Sequence, residues 1–452
     1  MGDERARGFA AIVGSENLLQ GEEIPKWYHV DGQIPRFVAK PPDRQSASQL
    51  IALAQEHSLG VIFRGGGTKM GLGNRPRRID LVLSTAHLNR VVDLDGENLT
   101  LTVEAGIRLS EIQERLRHEG NGYFIPLDPP FTEGATLGGI LATNSSGPKR
   151  LLYGTCRDFV LGLKVIQADG KICSFGGKTV KNVSGFDMNK LYIGSLGTLG
   201  MIAEITLRLL PLPEKERTLL AFFPESQSPF EVTSTILPSQ LLPSSLEILD
   251  PGATAFLHPE TLIRRGNYLL AIGLEGVAQA VNRQTEEIRS ICHRFGPSAM
   301  ETIEGEIQEL FWRSLRDILP SIFHRFTQSP IVKISVPPSK TREIFNSAEQ
   351  VLRVGNWPHA LWAQGGNGIL RAAFLLNSLG GERASLVQAI ETLGRMTREM
   401  EGHIVVESSP TSLKSRISLW GQEREDFKVF RQIKEALDPA SILNPGRFIG
   451  GI

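Results

Sequence analysis

Phe63-Arg64-Gly65-Gly66-Gly67-Thr68-Lys69-Met70-Gly71-Leu72-Gly73 is the stretch on which the fold turns. An apolar run, Val61-Ile62-Phe63, leads into it and has the content of a short buried strand. Glycines lack Cβ atoms, so backbone N–H groups can turn together toward an anion and approach it closely. Arg64 and Lys69 add positive charge, and Thr68 adds a hydroxyl donor. That combination suits a pyrophosphate. The full Walker pattern G-x-x-x-x-G-K-[ST] is absent. A dinucleotide fingerprint would open a helix, and Met70-Gly71-Leu72-Gly73-Asn74-Arg75-Pro76 is a poor helix start. Taken alone, the run also fits an ordinary glycine-rich turn, so the rest of the chain decides.

A chain of 452 residues is long enough for two or more domains. Hydrophobic content of 41% and charged content of 22% are those of a globular protein. Lys plus Arg and Asp plus Glu both number 49, a balance that gives no reason to expect nucleic acid as partner. The start, Met1-Gly2-Asp3-Glu4-Arg5, leads into no signal-peptide pattern, and no run approaches the ~18 apolar residues of a membrane span. The expectation is a cytoplasmic protein without a transmembrane segment, held at most peripherally to the inner membrane through partners. Cys156, Cys173 and Cys292 are too few and scattered for a disulfide framework or an iron–sulfur site. The nine histidines never take the close spacing of a local metal motif.

In chain order, the first thirty residues mix charge with small apolar groups and read as a loosely attached arm. Leu50, Ile51, Leu53 and Ala54 share a helix face that Gly60 should terminate. Leu81-Val82-Leu83 is a second buried strand. Val91-Val92-Asp93-Leu94 and Leu99-Thr100-Leu101-Thr102-Val103 flank Asp95-Gly96 as a hairpin. Ser110 to Gln113 reads as a capping box opening a helix to about His118. Residues 134–154 gather Thr136, Thr143, Asn144, Ser145 and Ser146 among close glycines, which favours backbone wrapped around a polar ligand over a free loop. A further hairpin crosses Ala168-Asp169-Gly170, and Gly194, Gly197 and Gly200 precede an alternating strand. Helices and hairpins without a steady βαβ repeat make this half α+β.

These three stretches, in this order, resemble the PCMH-type FAD-binding domain of the FAD-linked oxidase (vanillyl-alcohol oxidase) superfamily over residues 33–213. The tail agrees: Leu437-Asp438-Pro439 and Ile442-Leu443-Asn444-Pro445-Gly446-Arg447 look like that family's closing motif. Within it the chain is most similar to the E-type FAD-binding subunits of glycolate oxidase (glycolate dehydrogenase). Gly134-Ala135-Thr136-Leu137-Gly138-Gly139, Ser146-Gly147-Pro148, Arg157-Asp158-Phe159, Phe175-Gly176-Gly177 and Lys181-Asn182-Val183 carry that likeness. The resemblance implies a two-domain α+β fold. Its parts would be an arm at 1–32, the FAD-binding domain at 33–213, a cap for substrate or partner at 214–425, and a tail at 426–452 returning to the flavin domain.

It also implies FAD contacts. Arg64, Gly65, Gly66, Gly67, Thr68, Lys69 and Gly71 would hold the pyrophosphate. Pro126, Asp128, Thr136, Gly138, Gly139, Thr143, Asn144, Gly147, Tyr153, Gly154 and Asp158 would follow. Gly197, Gly200, Ile202 and Asn444 complete the set. Histidyl-linked relatives place a histidine in the glycine loop; Thr68 and Lys69 stand here, so non-covalent FAD is expected. Such a subunit implies a D-type FAD partner and an iron–sulfur subunit, with glycolate or D-lactate as the 2-hydroxy acid.

D-type subunits and D-lactate dehydrogenases carry H-x-G-x-G-N-x-H and a later E-H-G, which bind a metal beside the substrate. The matching segments are Trp362-Ala363-Gln364-Gly365-Gly366-Asn367-Gly368-Ile369 and Glu407-Ser408-Ser409. All three histidines are replaced, so no metal site is expected and the catalytic base is left unassigned. Two alternatives therefore stay open: a self-sufficient flavin oxidoreductase for another hydroxy acid or alcohol, and a non-catalytic assembly subunit. Phe311-Trp312 and the tryptophans of 357–362 have the character to line the flavin's reactive face or meet a partner, but single aromatics of this kind more often read as core. Arg371 and Lys414 have the chemistry to hold a carboxylate but are expected on solvated surface.

Overall fold

The computed structural model describes residues 2–118, 122–178, 185–258, 267–381, 383–422 and 425–452. Lys181-Asn182-Val183 therefore lies outside the described residues. The chain forms two compact units: Met1–Ser146, Thr155–Pro211 and Gln422–Ile452 make the first, Gly147–Gly154 and Leu212–Gly421 the second.

In the first unit, strands β1 (Leu18–Gln20), β2 (Phe37–Ala39), β3 (Val61–Arg64) and β4 (Leu81–Ser84) form a sheet in the order β1-β2-β4-β3. Strands β2, β4 and β3 run parallel, and β2 and β4 are buried along their whole length. A second sheet holds β5 (Val91–Asp95), β6 (Thr100–Glu104), β8 (Val160–Ile166), β9 (Ile172–Gly176) and β10 (Met201–Arg208), in the order β5-β6-β10-β8-β9. Here the expected hairpins form, antiparallel throughout. A two-residue ribbon pairs β7 (Tyr123–Phe124) with β11 (Leu210–Pro211).

Three expectations are corrected in this unit. Residues 1–32 are not a loose arm: the helix Gly2–Val13 buries Phe9 and Val13, and the Phe9 ring packs edge-on against Phe37. The helix Arg44–Glu56 is capped by Asp43, which accepts from the Ser46 N–H at 2.7 Å, and it ends before Gly60. Ser58, at φ +52°, makes the left-handed turn there, while a Cβ on Gly60 would meet the Arg78 side chain at 2.7 Å. The helix Leu109–His118 starts one residue ahead of Ser110, which sits inside it and is not its cap.

The tail is part of the unit. The helix Phe427–Leu437 buries Phe427 and, unexpectedly, Lys434, while Val429 faces solvent. The Lys434 ammonium donates to the Asp438 carboxylate at 2.5 Å, to the Thr198 carbonyl at 2.7 Å and to the Leu443 carbonyl at 2.9 Å. Asp438 in turn accepts from the N–H groups of Ile442 and Leu443. A buried ammonium is costly unless all three of its donors are used, and here they are.

The second unit is one eight-stranded sheet. Its strands are β12 (Lys215–Phe223), β13 (Ser245–Leu249), β14 (Tyr268–Gly276), β15 (Ala299–Ile303), β16 (Ile331–Ser335), β17 (His359–Gln364), β18 (Ile369–Phe374) and β19 (His403–Ser408). They pair antiparallel in the order β15-β12-β14-β13-β17-β18-β16-β19. Alternation sorts the side chains. Leu219, Leu246, Ile272, Ile334, Leu361 and Leu370 join the apolar core with Val281, Ile288, Phe345 and Leu393 from helices Ala278–His293, Thr341–Val354 and Arg383–Glu399. Glu247, Gln364, Trp362, Arg371 and Lys333 point the other way, as their register shows.

The Lys434–Asp438 pair yields a stability prediction. Lys434→Met should lower the unfolding free energy of the first unit by roughly 3–5 kcal/mol, because it leaves Asp438 buried without its counter-ion. The double replacement Lys434→Met with Asp438→Leu should cost clearly less. Urea titration of the three proteins decides it; equal losses in the single and double variants would remove the ion pair from the account.

Candidate functional site

A cleft opens in the first unit, lined largely by backbone and small side chains. Its walls are the glycine loop after β3, the helix Leu137–Thr143 and the C-terminal tail. Of the residues expected to hold FAD, Gly65, Gly66, Gly67, Thr68, Lys69, Thr136, Gly139, Thr143 and Asn444 line it. Ile62, Phe63, Met70, Leu72, Pro130, Ala135, Ile140, Ala142, Ser145, Leu196 and Arg447 line it too.

The glycine loop is shaped by close packing against a second loop. A Cβ on Gly66 would stand 1.8 Å from the Gly134 carbonyl oxygen, and one on Gly65 would stand 2.2 Å from Thr136 Oγ1. Gly67, at φ +75°, lies against the Arg64 guanidinium. Arg64 itself turns out of the cleft and stacks over the Tyr28 ring at 4.8 Å. Lys69 is therefore the loop's cation at the cleft, donating to Ser145 Oγ at 2.7 Å.

The tail closes the floor. The backbone of residues 442–444 runs beside β3: the Val61 N–H donates to Ile442 and the Asn444 N–H to Val61, each at 2.8 Å. Asn444, at φ +42°, accepts from the Phe63 N–H and donates to the Leu196 carbonyl. A short amide side chain tolerates this left-handed backbone, and both its ends are used here. Arg447, buried, donates to the carbonyls of Met70 and Leu72 and so fixes the far end of the loop.

The remaining expected residues stand elsewhere. Gly71 is exposed, and a Cβ added to it would meet nothing within 4 Å. Pro126 and Asp128 are buried outside the lining. Gly138 packs on Ala105; Gly200 lies against Val165 and Tyr192. Gly197, at φ +71°, sits against Asn444 and Phe63, and Ile202 is buried in β10. Asn144 ends the helix Leu137–Thr143 in the left-handed region and accepts from the Cys156 thiol. Asp158 caps the turn at Thr155. Gly147, Tyr153 and Gly154 belong to the second unit, where burial and then the Glu275 carboxylate push the Tyr153 phenol upward.

The second unit corrects two more expectations. Arg371 and Lys414 are buried, not solvated. Arg371 donates through Nε to Glu407 at 2.8 Å and through Nη2 at 3.4 Å. Phe311 and Trp357 are buried and Trp357 belongs to the apolar core, whereas Trp312 is half-buried with its indole N–H donating to Thr218 at 2.7 Å, and Trp362 is buried on the polar face beside Arg371. Among the described residues no cluster of three His, Cys, Asp or Glu side chains could hold a metal ion, and no helix is long and apolar enough to cross a membrane.

A glycine cradle with Lys69 and Arg447 at its walls, closed by a helix and a returning tail, in a chain that also carries an antiparallel-sheet unit, fits a two-domain flavoprotein. Comparison with known proteins gives the family. Residues 35–176 match the FAD binding domain, and residues 212–448 match the C-terminal domain of FAD linked oxidases. The chain belongs to the FAD-linked oxidases; it is an FAD-dependent oxidoreductase. It is 28% identical over 446 residues to "Glycolate oxidase subunit GlcD" of Bacillus subtilis, covering 96% of this chain and 94% of that one. It is 28% identical over 422 residues to "D-lactate dehydrogenase" of Archaeoglobus fulgidus, covering 91% of each. The crystal structure of p-cresol methylhydroxylase shares the fold, with a TM-score of 0.80 at 15% identity over 98% of this chain and 96% of that one.

The loop packing distinguishes two glycines. Gly66→Ala should yield protein with little bound FAD and a lowered melting temperature, since the methyl collides with backbone. Gly71→Ala should keep both near wild type. The flavin-to-protein absorbance ratio and a thermal melt measure this; full occupancy in Gly66→Ala would contradict the packing argument.

Proposed function

We propose that this chain is the FAD-carrying subunit of a glycolate oxidase-type assembly. It oxidises a short 2-hydroxy acid, glycolate or D-lactate, to the 2-oxo acid. One observation carries this reading: the glycine cradle lies in a chain whose likeness to proteins of those two names spans more than nine-tenths of its length. Bound FAD supplies the hydride acceptor, and the protein supplies position and electrostatics. Thr68, Lys69, Asn444 and the loop glycines are the residues proposed to hold it, with Lys69 beside the pyrophosphate.

The FAD is held without a covalent link on this reading, because no His, Cys or Tyr is among the described residues lining the cleft. The electron acceptor is an iron–sulfur partner, working with a D-type flavin subunit. The cysteines support an outside cluster: Cys156 and Cys292 are buried, their thiols pushed up to about 12 by desolvation, and they belong to different units. A thiol that resists ionisation is a poor cluster ligand. E-type character, with catalysis dependent on partners, is favoured by Trp362, Ile369 and Ser408 standing where the D-type pattern has histidine.

Two measurements test the proposal. Acid precipitation should leave the flavin in the supernatant; flavin in the pellet would overturn the non-covalent reading. An anaerobic absorbance spectrum should bleach near 450 nm with glycolate or D-lactate, either for the chain alone or after its partner subunits are added. Bleaching alone assigns catalysis to this subunit; bleaching only with partners assigns it to the assembly. A spectrum that stays oxidised in both cases sinks the hydroxy-acid reading.

A further inference from the structure

The polar face of the eight-stranded sheet carries charge that the apolar face does not explain. Lys333 on β16 and Trp362 on β17 are both direct cross-strand neighbours of Arg371 on β18. Glu407 lies at a bulge in β19, where Ile331 pairs with Ser408 and Val332 with Val406, and it reaches Arg371 from there. Both the Arg371 and Glu407 side chains are largely buried, at 11% and 15% exposure.

The D-type pattern implies a metal ion here, and the residues present do not fit one. Both Glu407 oxygens are taken by Arg371, at 2.8 and 3.4 Å. Trp362 and Ile369 offer no ligand atom. A divalent cation would also have to sit beside a guanidinium that cannot lose its charge.

The same cluster is short of negative charge. Arg371 and Arg150 both act on Lys333 as like charges, with Glu407 opposing them, and Glu407 and Glu247 act on Arg371. Among the described residues nothing hydrogen-bonds the Lys333 Nζ, and Arg371 Nη1 likewise donates to nothing. Desolvation pushes the Lys333 amine down to about 8, opposed by Glu407 and aided by Arg371 and Arg150. Lys333 is half-buried, and two cationic donors on adjacent strands with no hydrogen-bond partner among the described residues mark a place for an anion.

We propose that Arg371 is a built-in cation standing in for a metal ion, and that it binds a carboxylate ligand together with Lys333 without any divalent cation. Lys333 and Arg371 Nη1 donate to the carboxylate, while Glu407 holds the guanidinium plane in place. The choice of a hydroxy- or oxo-acid ligand rests on the function proposed above; the metal-free cation does not.

Oxalate, a dianion with adjacent carboxylates, is the probe, and calorimetry on the purified full chain reads binding without turnover. Oxalate should bind equally well after EDTA treatment and after adding Zn²⁺ or Mn²⁺. Arg371→Asn and Lys333→Met should each weaken binding by roughly 10- to 100-fold, the effect of losing one charge-assisted hydrogen bond. Glu407→Gln should keep or tighten binding, because the guanidinium then loses the carboxylate that hydrogen-bonds it and competes with the ligand. That sign separates the two accounts: a metal ligand at Glu407 would make Glu407→Gln lose oxalate. Thermal melts confirm that each variant is folded, and Lys333→Met leaves the Arg371–Glu407 pair intact should Arg371→Asn fail to fold. Binding that vanishes with EDTA and returns with metal overturns the proposal, as does wild-type affinity in folded Lys333→Met. Oxalate binding of the expected pattern in a chain that glycolate never bleaches would keep the site and discard only the hydroxy-acid function.

Discussion

The first unit depends on one buried ammonium. Lys434 lies 236 residues from Thr198 in sequence, yet it gathers that carbonyl, its own Asp438 and the Leu443 carbonyl around a single charge. The geometry fixes where the tail leaves its helix. From that point the chain has no freedom to miss β3: residues 442–444 add to its edge, and Asn444 arrives between Phe63 and Leu196. Arg447 then reaches the carbonyls of Met70 and Leu72. A tail that held the loop by exposed polar contacts would contribute little order, because water competes for each of them. Burial of the ammonium makes the alternative to its three bonds expensive, and so makes the arrangement nearly all-or-none.

The same logic changes the meaning of the glycine run. Glycine at 66 is demanded by the Gly134 carbonyl, a second stretch of backbone, before any ligand enters. Loop and loop brace each other, and the cleft between them exists because neither has side chains at the point of closest approach. Only Lys69 and Thr68 then remain to give the loop chemical character at the cleft. With so much of the backbone preorganised, most of the ordering entropy is lost on folding and little remains to be lost on binding.

Local patterns in the sequence were enough for the strands Val61–Arg64 and Leu81–Ser84 and for both hairpins. They rest on period and turn chemistry, which neighbours in sequence decide. Residues that the wider chain decides were not legible in that way. The N-terminal helix looks detachable because Phe9 and Val13 are spaced among charges, and only their partners in β2 and the core reveal their burial. Arg64 has the charge for a phosphate, but Tyr28 and the loop's own packing take it elsewhere. Arg447 was visible as part of a closing motif, though its partners lie 375 and 377 residues earlier. Lys434, Arg371 and Lys414 all break the rule that cations stay in water, and that rule is what a sequence taken alone has to assume.

That exception has a physical pattern. A sheet with helices on one face can bury its other face only if the polar groups there find partners, and the second unit's strands put Glu247, Gln364, Arg371 and Lys333 at alternating positions on that face. Lys149 meets Glu275 at 2.6 Å, and Arg371 meets Glu407, each a pair that would be unstable if either member were lost. Replacing histidines by tryptophan, isoleucine and serine along such a face does not simply delete a site. It removes neutral ligands from a surface whose carboxylate still needs a positive partner, and a guanidinium reaching across β16 from β18 meets that need. The cation has moved from something the protein must acquire to something it encodes, and the electrostatic requirement of the sheet is satisfied either way.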